Sequence, residues 1–321
     1  MTGAQNDIAG YLQHLQTQRK LSAHTLNSYQ RDLDQLTTLA AETSAHRSLN
    51  QLTQFDIRRY ISQLHARGMS PASIARKLSA WRGFFSWLAL HHTLPTNPVD
   101  GVKPPKRAKS LPKALGVDDA VKLVSAKVSG DENKAVHTLC SRTMFELLYS
   151  SGLRVSELTS LDVRYLQDGS YQSLGWIDLD AAELTVTGKG SKRRSVPIGA
   201  AAMQALREWL EVRGSITRAE PAEDANALFL SARGHRISAR EVQKRIKAHA
   251  QSLGIPADVH PHVLRHSFAS HVLQSSGDLR AVQEMLGHAS ISSTQVYTSL
   301  DFQRLAQVYD AAHPRAKKQG G

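Results

Sequence analysis

Residues 95–113 read PTNPVDGVKPPKRAKSLPK, and this stretch divides the chain. It holds five prolines, one glycine and five basic residues, with few large apolar side chains. Proline fixes φ and lacks an amide donor, so such a stretch is extended and hinge-like. The sequence therefore predicts a linker at 107–112 between a domain at 1–106 and a domain at 113–321.

The part that precedes this linker shows helical spacing throughout. Apolar residues recur at intervals of three and four from residue 8 to residue 88, which predicts four helices. Thr53 with Asp56 forms a capping box that opens the third helix, and Ser70 followed by Pro71 opens the fourth. Four helices in about 90 residues predict a small bundle.

The part that follows the linker has a mixed pattern. Residues 175–198 contain GWIDLD, ELTVTGKG and KRRSVPIG, whose alternation predicts a small antiparallel sheet. Residues 165–175 (YLQDGSYQSLG) are expected to form a surface loop before this sheet. Helices are predicted at 117–128, 133–150, 199–213, 238–253, 261–275 and 278–286, with one starting at Ser156 and shorter pieces to about 311. The predicted fold class is mainly α with a small antiparallel β-sheet.

The net charge indicates a polyanionic partner. The 321 residues carry 40 Lys and Arg against 28 Asp and Glu, giving +12 and a pI near 9.9. Residues 1–108 have 13 basic and 6 acidic residues, and residues 109–321 have 27 and 22. Because both parts are basic, one nucleic-acid surface across both is a natural interpretation. The alternative is a basic protein without such a partner.

Composition also bounds the setting of the protein. No apolar run approaches the length of a membrane-spanning helix, and no secretory signal is visible near the start, so no membrane insertion is expected. The single cysteine, Cys140, allows no internal disulfide and no cysteine-based metal site. A reducing, cytoplasmic location is therefore expected.

Two motifs favour binding of an anion. Arg154 lies in SGLRVSEL just before a helix, where backbone amides and a guanidinium together favour a phosphate. Lys189 lies between glycines at a hairpin tip, TGKGSKRR, where the backbone can turn tightly. Taken singly, each also fits an ordinary surface: Arg154 could simply pair with Glu157, and the hairpin could be a solvated basic tip.

Three further motifs lie toward the C-terminus. His262 and Arg265, three residues apart in HPHVLRH, share one helical face. His288 ends the motif LGH, and Tyr297 follows nine residues later in STQVYTSL. A lone tyrosine at such a place is usually a packing residue, so the argument depends on the ordered set. The zinc-protease pattern lacks its glutamate here, and no metal site is predicted.

The ordered set resembles the tyrosine recombinase (lambda-integrase-like) family. The resemblance covers nearly the whole chain and includes SAHTLNSYQRDL at 22–33, which is similar to the start of the family's core-binding domain. It implies a helical core-binding (SAM-like) domain and a catalytic domain that together clamp DNA. Residues 273–318, ending in AHPRAKK, are more specifically similar to the family members that resolve chromosome dimers at dif-type sites.

The resemblance implies a reaction and a role for each residue. One DNA strand at a time is cut through a 3′-phosphotyrosine, and Holliday junctions form without metal, ATP or cofactor. Tyr297 would be the nucleophile and Lys189 the proton donor to the leaving oxygen. Arg154, Arg265 and His288 would stabilise the phosphate, and His262 would assist the loss of the tyrosine proton or orient the phosphate. Glu157 would brace Arg154.

Basic residues of both domains are candidate DNA contacts, with a solvated face as the alternative. The candidates are His24, Thr25, Arg76, Lys77, Arg82, Lys192, Arg193 and Arg194. The resemblance further implies double-stranded DNA with a dif-type site, a sister recombinase in a two-plus-two heterotetramer, and an FtsK-type DNA translocase. Residues 302–318 would dock on a neighbouring protomer or fold back on their own domain.

Three other classes of protein remain open at this point. A phage- or transposon-type integrase would share the chemistry. A non-catalytic architectural DNA-binding protein would need neither Tyr297 nor Lys189. A metal-dependent nuclease would lose activity in a chelator.

Overall fold

The structure is a computed structural model, and it describes ten stretches of the chain. They are residues 3–43, 48–92, 94, 96–106, 114–126, 135–188, 192–216, 222–255, 258–287 and 307–315. The chain divides into two compact units, 1–109 and 110–321. The linker at 107–112 stays a prediction, because those residues lie outside the described ones.

The first unit contains the four helices that the sequence predicts. They are α1 (Gly3–Thr17), α2 (Ala23–Thr43), α3 (Gln54–Ala66) and α4 (Pro71–Leu88). The predicted caps are present: the Thr53 side chain accepts from the Asp56 amide, and the Ser70 side chain accepts from the Ser73 amide ahead of α4. A short 3-10 turn precedes α3.

Aromatic side chains fill the core of this unit. Tyr60, Trp81, Phe84 and Phe85 are fully buried, and the Tyr11 ring meets the edge of Phe84 at a centroid distance of 5.7 Å. Burial of each such ring removes a large apolar area from water, so the bundle can be stable as a unit of about 100 residues.

The second unit is built on helices that surround α6. The helices are α5 (Val117–Ser125), α6 (Ala135–Ser150), α7 (Val155–Thr159), α8 (Ala200–Arg213), α9 (Ala222–Ala225), α10 (Ala239–Ser252), α11 (Pro261–Ser276) and α12 (Leu279–Leu286). Every residue of α6 from Cys140 to Ser150 is buried except Arg142. Because neighbours cover it on all sides, α6 is the central helix of the unit.

A four-stranded sheet lies in the order β1 (Leu161–Asp162), β4 (Gly175–Asp178), β5 (Glu183–Thr187), β6 (Arg193–Pro197). The last three strands pair antiparallel, as predicted. β1 is an addition to the prediction and pairs parallel to β4. A two-residue strand is too short to show alternation, so its sequence gives no strand signal.

Residues 165–175 are more ordered than the expected surface loop. They contain a small hairpin of β2 (Gln167–Asp168) and β3 (Tyr171–Gln172). The Tyr171 hydroxyl donates to the buried Asp162 carboxylate at 2.7 Å, and Arg236 donates to the same carboxylate at 2.6 Å. This buried anion therefore fastens the hairpin to the sheet.

The described residues near the C-terminus fold back on their own unit. Residues 307–312 are helical, and Tyr309 is buried with α11 and α12. Arg315 donates to both carboxylate oxygens of Glu146 on α6, at 2.9 and 2.8 Å. Residues 307–315 therefore pack against their own unit here, and docking of residues 302–318 on a neighbouring protomer stays a prediction. None of the described helices is both long and apolar enough to cross a membrane.

Candidate active site

The site begins at the N-terminus of α7. Arg154 is the N-cap residue, and Glu157 stands at the third helical position. The Arg154 amide donates to Oε2 of Glu157, and the Nη1 atom of Arg154 donates to Oε1, both at 2.8 Å. The bracing predicted for this pair is confirmed, and about a third of the Arg154 side chain remains accessible.

Three guanidinium groups surround the Glu157 carboxylate. Arg194 donates to both oxygens, from Nη1 at 2.8 Å and from Nη2 at 2.9 Å. Arg265 brings Nη1 to 3.8 Å from Oε2. One carboxylate against three guanidiniums leaves a net positive cluster. Burial raises the pKa of Glu157, but hydrogen bonds and charge from Arg194, with those from Arg154, outweigh it and hold the pKa below its usual value.

The same three arginines hold the end of α12. The last carbonyl groups of a helix have no partner within it and form the negative end of its dipole. Here each receives one guanidinium: Arg194 Nε donates to the Met285 oxygen at 3.0 Å, Arg265 Nη2 to Leu286 at 2.6 Å and Arg154 Nη2 to Gly287 at 3.4 Å. The cluster therefore fixes the backbone that immediately precedes His288 in sequence.

Arg265 projects from α11 into this cluster and is almost fully buried. Its Nη1 atom also donates to the carbonyl oxygen of Gly152 at 2.6 Å. Burial, together with the positive charges of Arg154 and Arg194, lowers its pKa to about 10 against the opposing effect of Glu157. The guanidinium stays cationic at neutral pH, and a nearby anion would stabilise its charged form.

His262 lies one turn before Arg265 on the same helix. Desolvation lowers its pKa below the usual 6.5, and the charges of His260, Arg265 and Arg154 lower it further. The imidazole is therefore neutral at neutral pH and can accept a proton. Its ring centroid is 6.1 Å from that of His260.

The other three predicted catalytic residues, Lys189, His288 and Tyr297, lie outside the described residues. The structure therefore brings together Arg154, Arg265 and His262 and leaves the rest as predictions. Among the described residues, no group of three or more His, Cys, Asp or Glu side chains is arranged to hold a metal ion.

Two of the predicted DNA contacts in the first unit, Arg76 and Lys77, pair with the carboxylate of Asp32. Lys77 is buried, and its Nζ atom donates to Oδ1 of Asp32 at 2.7 Å. Arg76 pairs with the other oxygen of Asp32 and is half exposed. The prediction for Lys77 is wrong, because an ammonium enclosed by its own domain offers no charge to a phosphate.

The remaining candidates of the first unit are accessible in part. Arg82 is 40% exposed, and its Nη2 atom donates to two carbonyl oxygens, those of Val99 and Val102, at 3.3 Å. Thr25 Oγ1 lies 3.0 Å from Ser22 Oγ at the start of α2. The side chain of His24 lies outside the described residues.

Arg193 and Arg194 are adjacent in β6, but the first side chain is exposed and the second is buried. Lys192 and Arg193 are exposed, and the Arg193 guanidinium lies 5.5 Å from the ring centroid of Trp176. Arg194 points inward and is buried, so its prediction as a DNA contact is wrong. Strand alternation could have found this, since Arg194 shares the inner face with Val196.

Comparison with family models identifies the class. A model described as "Phage integrase family" matches residues 117–304, and a model described as "Phage integrase, N-terminal SAM-like domain" matches residues 8–92. The chain belongs to the phage integrase family, and it is a tyrosine-type site-specific recombinase.

Within this class, the similarity is to XerC proteins. Tyrosine recombinase XerC of Ralstonia pickettii (strain 12J) is 58% identical, covering 97% of this chain and 94% of that protein. Tyrosine recombinase XerC of Salmonella typhi is 46% identical, covering 97% of each chain. This similarity favours a XerC-like recombinase over a phage- or transposon-type integrase and over a non-catalytic architectural DNA-binding protein.

Solved structures share the fold. XerH site-specific recombinase, in a post-cleavage complex with palindromic difH substrate, matches with a TM-score of 0.63 at 22% identity, covering 91% of this chain and 81% of that one. The Tn1549 transposon integrase in complex with circular intermediate DNA matches with a TM-score of 0.65 at 17% identity, covering 93% and 98%. These likenesses support the predicted mainly helical, two-domain fold.

Proposed function

We propose that this recombinase binds double-stranded DNA and cuts it through a 3′-phosphotyrosine at Tyr297, then rejoins strands through a Holliday junction. The observation that carries the proposal is the convergence of Arg154 and Arg265 on Glu157 at the start of α7. Two guanidiniums held by a shared carboxylate form a preorganised site for one phosphate.

The chemistry needs this positive charge in the transition state. When a nucleophile attacks a phosphodiester, negative charge grows on the non-bridging oxygens. Arg154 has an accessible guanidinium, and Arg265 is a buried cation, so their attraction to that charge is only weakly screened by water. His288 would add a further hydrogen bond. This arrangement replaces the charge that a magnesium ion supplies in many nucleases.

Two proton transfers complete the reaction. The phenol of Tyr297 has an ordinary pKa near 10 and needs help to lose its proton. His262 is the base we assign, because its lowered pKa keeps the imidazole neutral at neutral pH. Lys189 would donate a proton to the leaving 5′-oxygen. The covalent bond conserves the energy of the phosphodiester, so religation needs no ATP.

The high identity to XerC proteins supports a role in resolving chromosome dimers at cell division. In this proposal the substrate is a dif-type site, and XerD is the sister recombinase in a two-plus-two heterotetramer. An FtsK-type translocase regulates the assembly, and the reaction takes place in the cytoplasm. The two units would clamp the duplex, with Lys192 and Arg193 among the contacts, since both are exposed and basic.

Covalent trapping tests the proposed chemistry. The protein is mixed with a labelled dif-type duplex that is nicked just beyond the scissile phosphate, so that religation fails. Parallel reactions are run with and without EDTA, and the products are separated on a denaturing gel. We expect a slowly migrating DNA–protein band for the wild type and none for Tyr297→Phe.

Binding is measured in parallel by gel shift, because Tyr297→Phe should keep its affinity for the duplex. The partner recombinase is added in a second series, since activity could require it. A duplex that is bound but never trapped, with or without the partner, would contradict the proposal and indicate a binding protein. A band that disappears in EDTA would indicate a metal-dependent reaction instead.

A further inference from the structure

Arg194 stands at the junction of three segments that carry the proposed chemistry. It belongs to β6, which pairs antiparallel with β5, and Lys189 lies between these two strands in sequence. It contacts Glu157 of α7, the helix that Arg154 begins, and it contacts the end of α12 directly before His288. Arg194 is almost fully buried, so its positive charge interacts with groups inside the protein.

The contacts of Arg194 use the shape of its guanidinium. Nη1 and Nη2 donate to the two oxygens of Glu157, and Nε donates to the carbonyl oxygen of Met285 at 3.0 Å. This paired geometry fixes both the position and the plane of the carboxylate. Arg154 and Arg265 take their positions from the same carboxylate, so its orientation determines theirs.

The backbone at the end of α12 is also shaped to Arg194. Gly287 has φ of +62°, a left-handed conformation that favours glycine. A Cβ atom built there would lie 3.1 Å from Cδ of Arg194 and 3.2 Å from its Nε and Nη1 atoms. The turn therefore packs directly against the arginine.

We propose that Arg194 is a positioning residue for strand cleavage, acting through Glu157 and the end of α12 to hold Arg154 and Arg265 against the scissile phosphate. This inference rests on the proposed function. Lysine cannot replace it, because an ammonium is a point charge that cannot bind both carboxylate oxygens and a carbonyl in this plane.

The test compares Arg194→Lys with wild type at saturating nicked duplex, measuring affinity and single-turnover cleavage separately. The matched control is Arg213→Lys. Arg213 is also buried and donates to the carbonyl oxygens of Ala225 and Ala227, at 2.7 and 2.9 Å, in the same unit. Arg213→Lys therefore makes the same Arg-to-Lys substitution at a buried position that does not connect β6, α7 and α12.

A second substrate separates the two halves of the reaction. In this duplex the bridging 5′-oxygen is replaced by sulfur, whose thiolate leaves without protonation. The P–S bond breaks as the tyrosine oxygen–phosphorus bond forms, and a thiolate is released. Lys189→Ala, which lacks the proposed proton donor, should regain cleavage on this substrate. A variant whose arginines are misplaced should not regain it.

We expect Arg194→Lys to bind DNA as wild type does and to cleave about 100-fold more slowly, on both substrates. Arg213→Lys should cleave at the wild-type rate. An effect smaller than about tenfold, an equal loss in Arg213→Lys, or recovery on the sulfur substrate would overturn the inference. Failure of the wild type to cleave while it binds would refute the proposed function itself.

If Arg194→Lys does not fold, Arg194→Gln and Glu157→Gln are compared singly and together. The double variant carries no charge of the buried pair. Two residues that act as one unit should show rate losses that are far from multiplicative. Independent, multiplicative losses would contradict action of Arg194 through Glu157.

Discussion

The Nη1 atom of Arg265 donates to the carbonyl oxygen of Gly152 over 2.6 Å, which ties α11 to the turn after α6. Gly152 has φ of +57°, and a Cβ built there would lie 2.4 Å from Cδ1 of Phe268. Arg265, which we assign to the phosphate, is thus held by the carbonyl group of Gly152, a position that leaves no space for a side chain.

Gly152→Ala should destabilise the protein and slow cleavage together. The left-handed backbone costs about 1–2 kcal/mol for an L-residue, and the clash with buried Phe268 adds about 1–3 kcal/mol. The displaced carbonyl also weakens the contact to Arg265. Chemical denaturation and the trapping gel measure the two effects.

Gly169→Ala is the matched control for this change. Gly169 has φ of +54°, but a Cβ there meets nothing within 4 Å. It should cost the backbone contribution alone and leave cleavage unaffected. Equal losses of stability at the two positions would show that the contact with Phe268 does not matter.

Arg315→Ala should destabilise the second unit by about 3–5 kcal/mol, since it leaves the buried Glu146 carboxylate without its guanidinium. The same loss should release residues 307–315 from α6, which limited proteolysis would detect as faster cleavage near the C-terminus.

Arg142→Ala provides the comparison for a partly exposed ion pair. Arg142 lies 3.4 Å from Glu208, and both side chains are about a third exposed. Its loss should cost less than about 1 kcal/mol. If Arg315→Ala were equally mild, residues 307–315 would not be anchored by this pair.

Lys77 and Arg193 should differ in how they affect the salt dependence of DNA binding. A cation at a phosphate adds about 0.9 to the slope of log affinity against log salt. Arg193→Gln should therefore lower the slope by about 1. Lys77→Met should leave the slope unchanged, because its charge is enclosed with Asp32. Titrations at several salt concentrations measure both, and a lower slope for Lys77→Met would contradict its burial.

His262 should set an acid limit to cleavage. Desolvation lowers its pKa, so the neutral imidazole, which accepts a proton, still predominates at pH 6.5. The pH profile of kcat/KM reports the free protein. We expect a rise with pH whose midpoint lies below 6.5, followed by a plateau. This rise should be missing in His262→Gln; its persistence there, or a midpoint above 6.5, would assign it to another group.

Much of the fold could be predicted from short-range patterns. The capping residues Thr53 and Ser70 act on amides three residues away, so the sequence shows both partners of each contact. The pairing of Arg154 with Glu157 could be predicted for the same reason. Alternation likewise predicted the antiparallel strands at 175–198, whereas the two-residue strand β1 was too short to carry any pattern.

Long-range partners could not be predicted in this way. Lys77 and Arg194 have the composition of DNA contacts, and the sequence shows neither Asp32 beside the first nor Glu157 beside the second. Asp32 and Lys77 are 45 residues apart, and Glu157 and Arg194 are 37 apart. Whether such a charge meets a phosphate or an internal carboxylate depends on which face the fold buries.

The class of protein, the helical and strand segments, and the residue types that the reaction needs can all be read from the sequence, because they depend on local spacing and on ordered motifs. Which basic residues face solvent and which support the site depends on the tertiary fold. The fold joined Arg194, Glu157 and the end of α12, because a buried charge is stable only where packing brings it an opposite charge and hydrogen-bonding partners.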